Sequence, residues 1–270
     1  MSRITAIASR RLQQNKKLLI PYLVAGDPDL STTLALMHEL VNQGADIIEL
    51  GIPFSDPASD GPVIQKGVER ALAGGTTLRD TLDIVTKFRQ SDAETGIVLM
   101  GYLNPIEVMG YEEFVKSVTA AGVDGVLVVD MPPAESTELH RRLSDAAIDT
   151  IFLVAPTTSA SRAKEIVRVC SGYVYYVSLK GVTGAAITDF ESIEESINAL
   201  RQLTDLPVVV GFGIKDSESA RAMGSASDGI IIGSALVDKI AELSNGTKHA
   251  PTLATCCTVI GEARSAIDTP

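Results

Sequence analysis

Residues 18–50 read LLIPYLVAGDPDLSTTLALMHELVNQGADIIEL, and this stretch decides the fold. It begins with the apolar run Leu18–Val24 and ends with a second apolar run, Asp46–Leu50. Between the two runs, Leu34, Met37 and Val41 recur at spacings of three and four, which places them on one face of a helix. The pattern predicts a strand, an amphipathic helix and a second, parallel strand.

The same unit is repeated along the rest of the chain. Apolar runs with the length of buried parallel strands occur eight times, at Leu18–Val24, Asp46–Leu50, Gly96–Met100, Gly125–Val129, Thr150–Val154, Tyr173–Ser178, Pro207–Gly211 and Gly229–Ile232. A segment with helical periodicity follows each run. Eight strand–helix units predict an α/β fold of the (β/α)8 TIM-barrel type. We also expect an extra N-terminal helix and additional helices in the loops and over Pro251–Ala266.

We expect a single domain over residues 1–270, because no Pro/Ser-rich linker and no change in composition divides the chain. A doubly wound open sheet is the alternative architecture. The exit of the first strand, however, lacks the G-x-G-x-x-G pattern typical of the dinucleotide-binding members of that class.

The composition narrows the possible functions. With 34 acids against 23 bases the net charge is −11, which argues against nucleic acid or an anionic membrane as a partner. No apolar run approaches the roughly 18 residues of a membrane span. The sequence predicts no metal site, because its cysteines and histidines lack the spacing of metal ligands: Cys170, Cys256, Cys257, His38, His140 and His249. The three cysteines are expected to be thiols in the core of a cytoplasmic protein.

Two acidic residues are candidates for acid–base chemistry. Glu49 lies inside the second apolar run, where burial of a carboxylate costs several kcal/mol unless it is paired, and where burial raises its pKa. The interval between the second and third runs is longer than one crossover helix needs, and the extra length before that helix is interpreted as an active-site loop. Within it, Asp60-Gly61-Pro62 is typical of a helix start with a capping residue, but Asp60 also suits the second carboxylate of an acid–base pair. Both interpretations of Asp60 stay open at this point.

Glycine-rich segments follow the last three strands. Gly181 and Gly184 follow the sixth run, Gly213 follows the seventh, and Gly233-Ser234 begins a helix after the eighth. Glycines at these strand ends, next to a helix N-terminus, form the phosphate site that many TIM barrels share. The alternative is a set of tight turns that bind nothing. We expect a phosphate group here, held by backbone amides.

With these residues in view, the chain closely resembles the tryptophan synthase alpha chain family over about residues 19–237. The most specific stretches are DIIELGIPFSDP at residues 46–57 and DGPVIQ at residues 60–65. Further marks of the family are Ala25–Pro28, Tyr102, Asn104-Pro105, Asp130, Gly181–Gly184, Gly211–Ile214 and Gly233–Ala235.

The resemblance implies a lyase that cleaves indole-3-glycerol phosphate to indole and glyceraldehyde 3-phosphate in L-tryptophan biosynthesis, with Glu49 and Asp60 as catalytic residues. For the substrate we expect contacts from Tyr22, Ile64, Met100, Leu127, Tyr176, Thr183 and Phe212, and for its phosphate from Gly184, Gly213, Gly233 and Ser234. The resemblance also implies a partner, the beta chain, in a complex of two alpha and two beta chains. Pyridoxal phosphate belongs to that partner, and no cofactor is expected in this chain.

The expected docking face for the beta chain is built from residues at the second, third and fourth strand ends: Pro53, Phe54, Ser55, Asp56, Asn104, Pro105, Asp130 and Pro132.

Other phosphate-binding barrels compete with the assignment to the tryptophan synthase alpha chain family. Indole-glycerol-phosphate synthase would need a catalytic lysine at a strand end, and ribulose-phosphate epimerase would need metal-binding histidines. Phosphoribosylanthranilate isomerase is a third competitor, and a non-catalytic subunit that only activates a partner is a fourth.

Overall fold

The computed structural model describes residues 2–178, 190–211, 213–243 and 251–269. Eight parallel strands close into a barrel in sequential order, which confirms the predicted fold. Their bounds are β1 Leu18–Val24, β2 Ile47–Gly51, β3 Gly96–Gly101, β4 Gly125–Val128, β5 Asp149–Val154, β6 Val174–Val177, β7 Val208–Gly211 and β8 Gly229–Ile232.

Helices surround the barrel. Within the described ranges they are α1 Arg3–Gln13, α2 Leu30–Asn42, α3 Pro62–Ala73, α4 Leu78–Arg89, α5 Leu103–Met109, α6 Tyr111–Ala121, α7 Thr137–Asp145, α8 Ala160–Val169, α9 Phe190–Arg201, α10 Ser217–Ala226, α11 Ser234–Leu243 and α12 Leu253–Asp268. The expected N-terminal helix is α1 and the expected C-terminal helix is α12. None of the helices in these ranges has both the length and the hydropathy to cross a membrane.

Alternation along the strands directs their side chains to two faces of the barrel wall. One set of side chains, including Val98, Leu127 and Val209, fills the barrel interior, which we call the inner cluster. The opposite set, including Ile48 and Leu99, packs between strands and helices as the outer cluster. Because parallel strands are buried on both faces, each run is apolar throughout. A polar residue on the inner face is therefore conspicuous.

Helix α1 closes the N-terminal end of the barrel. Its apolar residues Ile4, Ile7 and Ala8 belong to the inner cluster, together with Leu18 at the start of β1. The Ser2 side chain accepts a hydrogen bond from the backbone N–H of Thr5 and caps the helix. Since this end is filled by packing, the C-terminal ends of the strands remain for the chemistry.

Polar side chains also tie neighbouring strands together at the closed end. In four strand pairs, a residue preceding the second strand accepts a hydrogen bond from a backbone N–H of the first: Asp46 from Leu19, Asp124 from Ile97, Ser171 from Thr150 and Asp228 from Val208, at 2.8–2.9 Å. Several of the acids that make the chain anionic are thus structural.

The interval between β2 and β3 holds a second helix in addition to the crossover helix that the periodicity predicts. It contains two helices, α3 and α4, and only residues 52–61 separate β2 from α3. Proline at the first position of α3 suits a helix start, and Ile64, Val68 and Ala71 bury one face against Tyr22. Helix α3 therefore lies across the open end of the barrel beside β1 and α11.

Candidate active site

Glu49 lies in the barrel interior at the middle of β2. Alternation puts Ile47, Glu49 and Gly51 on the inner face, and Glu49 is fully buried. Its Oε1 accepts a hydrogen bond from the Tyr173 hydroxyl at 2.5 Å, across the barrel from β2. Its Oε2 is buried without a hydrogen-bond partner in the described part of the chain. An unpartnered buried carboxylate oxygen is costly and points to a function.

Burial raises the pKa of Glu49 to about 7, and the hydrogen bond from Tyr173 counteracts part of that rise. Near neutral pH the residue is therefore present in both its protonated and its ionised form. Such a group can donate a proton in one step and accept one in the next.

Asp60 lies beyond the C-terminal end of β2, at the end of the loop that leads to α3. The Tyr102 hydroxyl donates to its Oδ2 at 3.1 Å and accepts a hydrogen bond from the backbone N–H of Ser59 at 3.0 Å. The Gln65 side chain donates to the Asp60 backbone carbonyl at 2.8 Å. The N-cap of α3 is Gly61, and no side chain caps the helix. The capping interpretation of Asp60 is therefore wrong.

The environment of Asp60 differs from that of Glu49. Burial raises the pKa of Asp60 to about 6, and the hydrogen bond from Tyr102 opposes the rise. Since this value is lower than the value of about 7 for Glu49, Asp60 ionises first as the pH increases. Two carboxyl groups with separated pKa values can take different roles at one pH.

An apolar wall lies between these carboxylates and the neighbouring helices. Tyr22, Ile64 and Met100 pack in one cluster at the open end. Burial raises the pKa of Tyr22 strongly, and the charges of Asp60 and Glu49 add to the rise, so the phenol lies close to both. A Cβ on Gly51 would come within 2.3 Å of the Tyr22 hydroxyl oxygen, so this ring requires glycine there. Leu127 lies in the adjoining inner cluster.

The placement of Tyr176 in the site is wrong. Its side chain packs in the outer cluster between the barrel and the helices. Alternation instead directs Tyr173 and Tyr175 inward, and burial together with the charges of Glu49 and Asp60 raises the pKa of Tyr175. A Cβ on Gly211 would lie 2.3 Å from the Tyr175 hydroxyl oxygen. The period of two within the sixth apolar run was the signal that identifies these inward residues.

The structure describes three of the four predicted phosphate-binding residues. Gly233 and Ser234 stand at the start of α11, and a Cβ on Gly233 would lie 3.5 Å from Tyr22 Cδ1. This helix start therefore adjoins the apolar wall, where its partial positive charge favours an anion. Gly213 is exposed with a positive φ of 77°. Thr183, Gly184 and Phe212 lie outside the described residues.

The expected docking face carries a mixture of exposed and buried side chains. Ser55, Asp56, Asn104 and Asp130 are exposed, whereas Phe54, Pro105 and Pro132 are half-buried and Pro53 is buried. The Phe54 ring packs against the Tyr102 ring with centroids 5.3 Å apart. The Asp130 carboxylate accepts a hydrogen bond from the backbone N–H of Leu103 at 2.8 Å, at the start of α5.

Among the described residues, no three His, Cys, Asp or Glu side chains are grouped to hold a metal ion.

Comparison with known proteins gives one consistent family. The family model for the tryptophan synthase alpha chain matches residues 8–265. The tryptophan synthase alpha chain of Psychrobacter cryohalolentis is 51% identical over 243 residues, covering 90% of this chain and 89% of its own. That of Neisseria gonorrhoeae is 57% identical over 224 residues, covering 83% and 86%. The crystal structure of the alpha subunit from Legionella pneumophila superimposes with a TM-score of 0.91 at 40% identity and covers 100% of both chains.

Proposed function

The chain belongs to the tryptophan synthase alpha chain family, and from this premise we propose that Glu49 and Asp60 are its catalytic carboxylates. As a member it is a lyase of L-tryptophan biosynthesis that cleaves indole-3-glycerol phosphate to indole and glyceraldehyde 3-phosphate. The observation that carries the proposal is Oε2 of Glu49, which is buried without a hydrogen-bond partner among the described residues, in a carboxyl group with a pKa of about 7.

Glu49 acts as both acid and base in the retro-aldol cleavage. Protonated Glu49 donates a proton to indole C3, which leaves positive charge on N1. The ionised carboxylate then removes the proton from the hydroxyl on the departing carbon. The O–H electrons form the aldehyde C=O, and the electrons of the breaking C–C bond return to the ring and neutralise N1. A pKa of about 7 suits both transfers near neutral pH.

Asp60 stabilises the charge that develops on the indole nitrogen. With a pKa of about 6 it is mostly ionised near neutral pH, while Glu49 is still partly protonated. A carboxylate placed near N1 lowers the energy of the cationic intermediate. The hydrogen bond from Tyr102 holds Asp60 Oδ2 and leaves Oδ1 for the substrate.

The remaining predicted residues bind the substrate. The indole ring lies against Tyr22, Ile64, Met100 and Leu127, and Phe212 and Thr183 belong to the same set. The phosphate lies at the start of α11, against Gly233 and Ser234, with Gly213 and Gly184. Tyr175 replaces Tyr176 in this set, because its side chain faces the interior.

The second part of the proposal concerns assembly. This chain pairs with a beta chain in a complex of two alpha and two beta chains in the cytoplasm. The beta chain holds pyridoxal phosphate and receives the indole, and this chain itself needs no cofactor. Its docking face includes the exposed Ser55, Asp56, Asn104 and Asp130, and the loop that carries Asp56 also leads to Asp60. Docking is therefore expected to favour the active arrangement of this loop.

Turnover of indole-3-glycerol phosphate tests both parts. We expect slow cleavage by the purified chain and faster cleavage with saturating beta chain, by a coupling of about 1–3 kcal/mol. Glu49→Gln is expected to lose about 10²–10⁴-fold in turnover in either state. A chain that activates the beta chain without cleaving substrate itself would be a non-catalytic subunit. Absence of activation would contradict the partner assignment.

A further inference from the structure

A buried ion pair outside the proposed catalytic set joins the end of β1 to α3. Asp27 follows β1 and is fully buried, whereas Arg70 lies in the last turn of α3. Arg70 Nε donates to Asp27 Oδ1 at 2.7 Å, and its Nη2 donates to Oδ2 at 2.8 Å. Burial raises the pKa of Asp27, and the hydrogen bonds and charge of Arg70 oppose the rise. A two-pronged contact of this type fixes the orientation of both groups.

The backbone of α3 rests directly on this carboxylate. A Cβ on Gly67 would lie 2.9 Å from Asp27 Oδ2 and 3.0 Å from Val237 Cγ1 of α11. Only glycine allows α3 to approach both so closely. Asp27 therefore limits how near α3 comes to β1, and Arg70 limits how far α3 can rotate or tilt.

The opposite end of the same helix holds the active site. Gln65 donates to the Asp60 backbone carbonyl at 2.8 Å, and Ile64 packs in the cluster that contains Tyr22. Arg70 lies eight positions after Pro62, or about 12 Å along the axis at ~1.5 Å per residue. A tilt of about 10° around the ion pair would move the start of α3 by about 2 Å.

We propose that Arg70, held by Asp27, is a positioning residue for the cleavage reaction. The pair sets the orientation of α3 and, through Gln65, the place of Asp60 relative to Glu49. Because α11 packs on the same helix and begins at Ser234, the pair also fixes the distance between Asp60 and the proposed phosphate site. This inference rests on the proposed roles of the two carboxylates.

A set of charge-matched variants separates positioning from stability. Arg70→Gln leaves the buried Asp27 carboxylate without its partner, which lowers the stability of the folded chain. It also removes the contact that fixes the orientation of α3. The double variant Asp27→Asn with Arg70→Gln removes both charges and so recovers part of that stability. Arg70→Lys keeps the charge and loses the two-pronged geometry. The control is Arg201→Gln, since Arg201 Nη2 donates to Asp228 Oδ1 at 2.8 Å at the closed end of the barrel.

Steady-state cleavage is measured at a temperature at which circular dichroism shows every variant to be folded. We expect kcat to fall roughly 10–100-fold in Arg70→Gln and in the double variant, and less in Arg70→Lys, because misplacement by about 1 Å costs up to about 10²-fold. The acid limb of the kcat/KM profile moves to higher pH as the Tyr102 hydrogen bond to Asp60 loosens. Arg201→Gln keeps kcat within about twofold. A folded double variant with kcat within about twofold of wild type overturns the inference.

Crystal structures of the wild type and the double variant give a readout that does not depend on turnover. A displacement of the Pro62 end of α3 relative to β2 by roughly 1 Å or more supports the inference, and superimposable positions overturn it. If the wild type itself fails to cleave indole-3-glycerol phosphate, the proposed catalytic roles fail, while this comparison still decides whether the ion pair positions Asp60.

Discussion

Replacing Glu49 by glutamine is expected to make the folded chain more stable while it lowers turnover by about 10²–10⁴-fold. The buried carboxyl has a pKa of about 7, against an ordinary value of 4.5, because burial disfavours its charged form. Between these two values the unfolded chain releases the proton and the folded chain keeps it. Stability of the wild type therefore falls as the pH rises through this window.

The magnitude follows from the same two values. A difference of about 2.5 between 7 and 4.5 corresponds to a penalty of about 3 kcal/mol, fully present above pH 7 and absent below pH 4.5. Glutamine is neutral at every pH and keeps the acceptor oxygen that faces Tyr173. The variant should therefore match the wild type in acid and exceed its free energy of unfolding by about 3 kcal/mol in mild alkali.

Urea unfolding at several pH values measures the effect. The chain contains no tryptophan, so far-ultraviolet circular dichroism is the suitable signal. Glu195→Gln on the exposed surface of α9 is the control and should stay within about 0.5 kcal/mol of the wild type throughout. The difference between Glu49→Gln and the wild type must grow with pH. A constant difference, or a gain that appears only in acid, would refute the argument that burial holds the proton on Glu49.

Three further predictions concern the site. Tyr173→Phe removes the hydrogen bond that opposes the raised pKa of Glu49, so the basic limb of the kcat/KM profile should move up by about one to two pH units; an unmoved limb would show that another group titrates there. Asp60→Asn should lower turnover by about 10²-fold and remove the acid limb near pH 6, whereas persistence of that limb would assign it elsewhere. Gly51→Ala should weaken substrate binding by displacing the Tyr22 ring, and an unchanged KM would contradict the placement of that ring in the site.

The fold could be predicted because its pattern is local. Each strand is a short apolar run and each helix has its own apolar face, so the barrel follows from repetition along the chain. The extent of helix α3 was not placed from the sequence, although Asp60-Gly61-Pro62 is typical of a helix start, because Gly67 interrupts its apolar face and the Gly74-Gly75 pair follows it. The glycine is needed for tertiary packing against Asp27, which no local pattern reports.

The site could be predicted only as far as single residues stand out. Glu49 is an acid within an apolar run, and the family motif adds Asp60. The hydroxyl that holds Glu49 comes from Tyr173, 124 positions away and on the opposite side of the barrel. That contact depends on which residues share the inner face in both halves of the barrel. The choice of Tyr176 over Tyr175 shows how a shift of one residue reverses the direction of a side chain.

The two carboxylates acquire different pKa values from their positions in the barrel. Glu49 lies at mid-depth among apolar side chains, so its proton is held until about neutral pH. Asp60 lies on a loop at the rim, where partial exposure and the Tyr102 hydroxyl favour ionisation at a lower pH. If Asp60 were buried as deeply as Glu49, its pKa would be higher. It would then stay neutral near the indole nitrogen and could not stabilise the positive charge there. Because the same burial that destabilises the folded chain also sets the proton affinity of Glu49, a variant that restores this stability must lose the acid–base function.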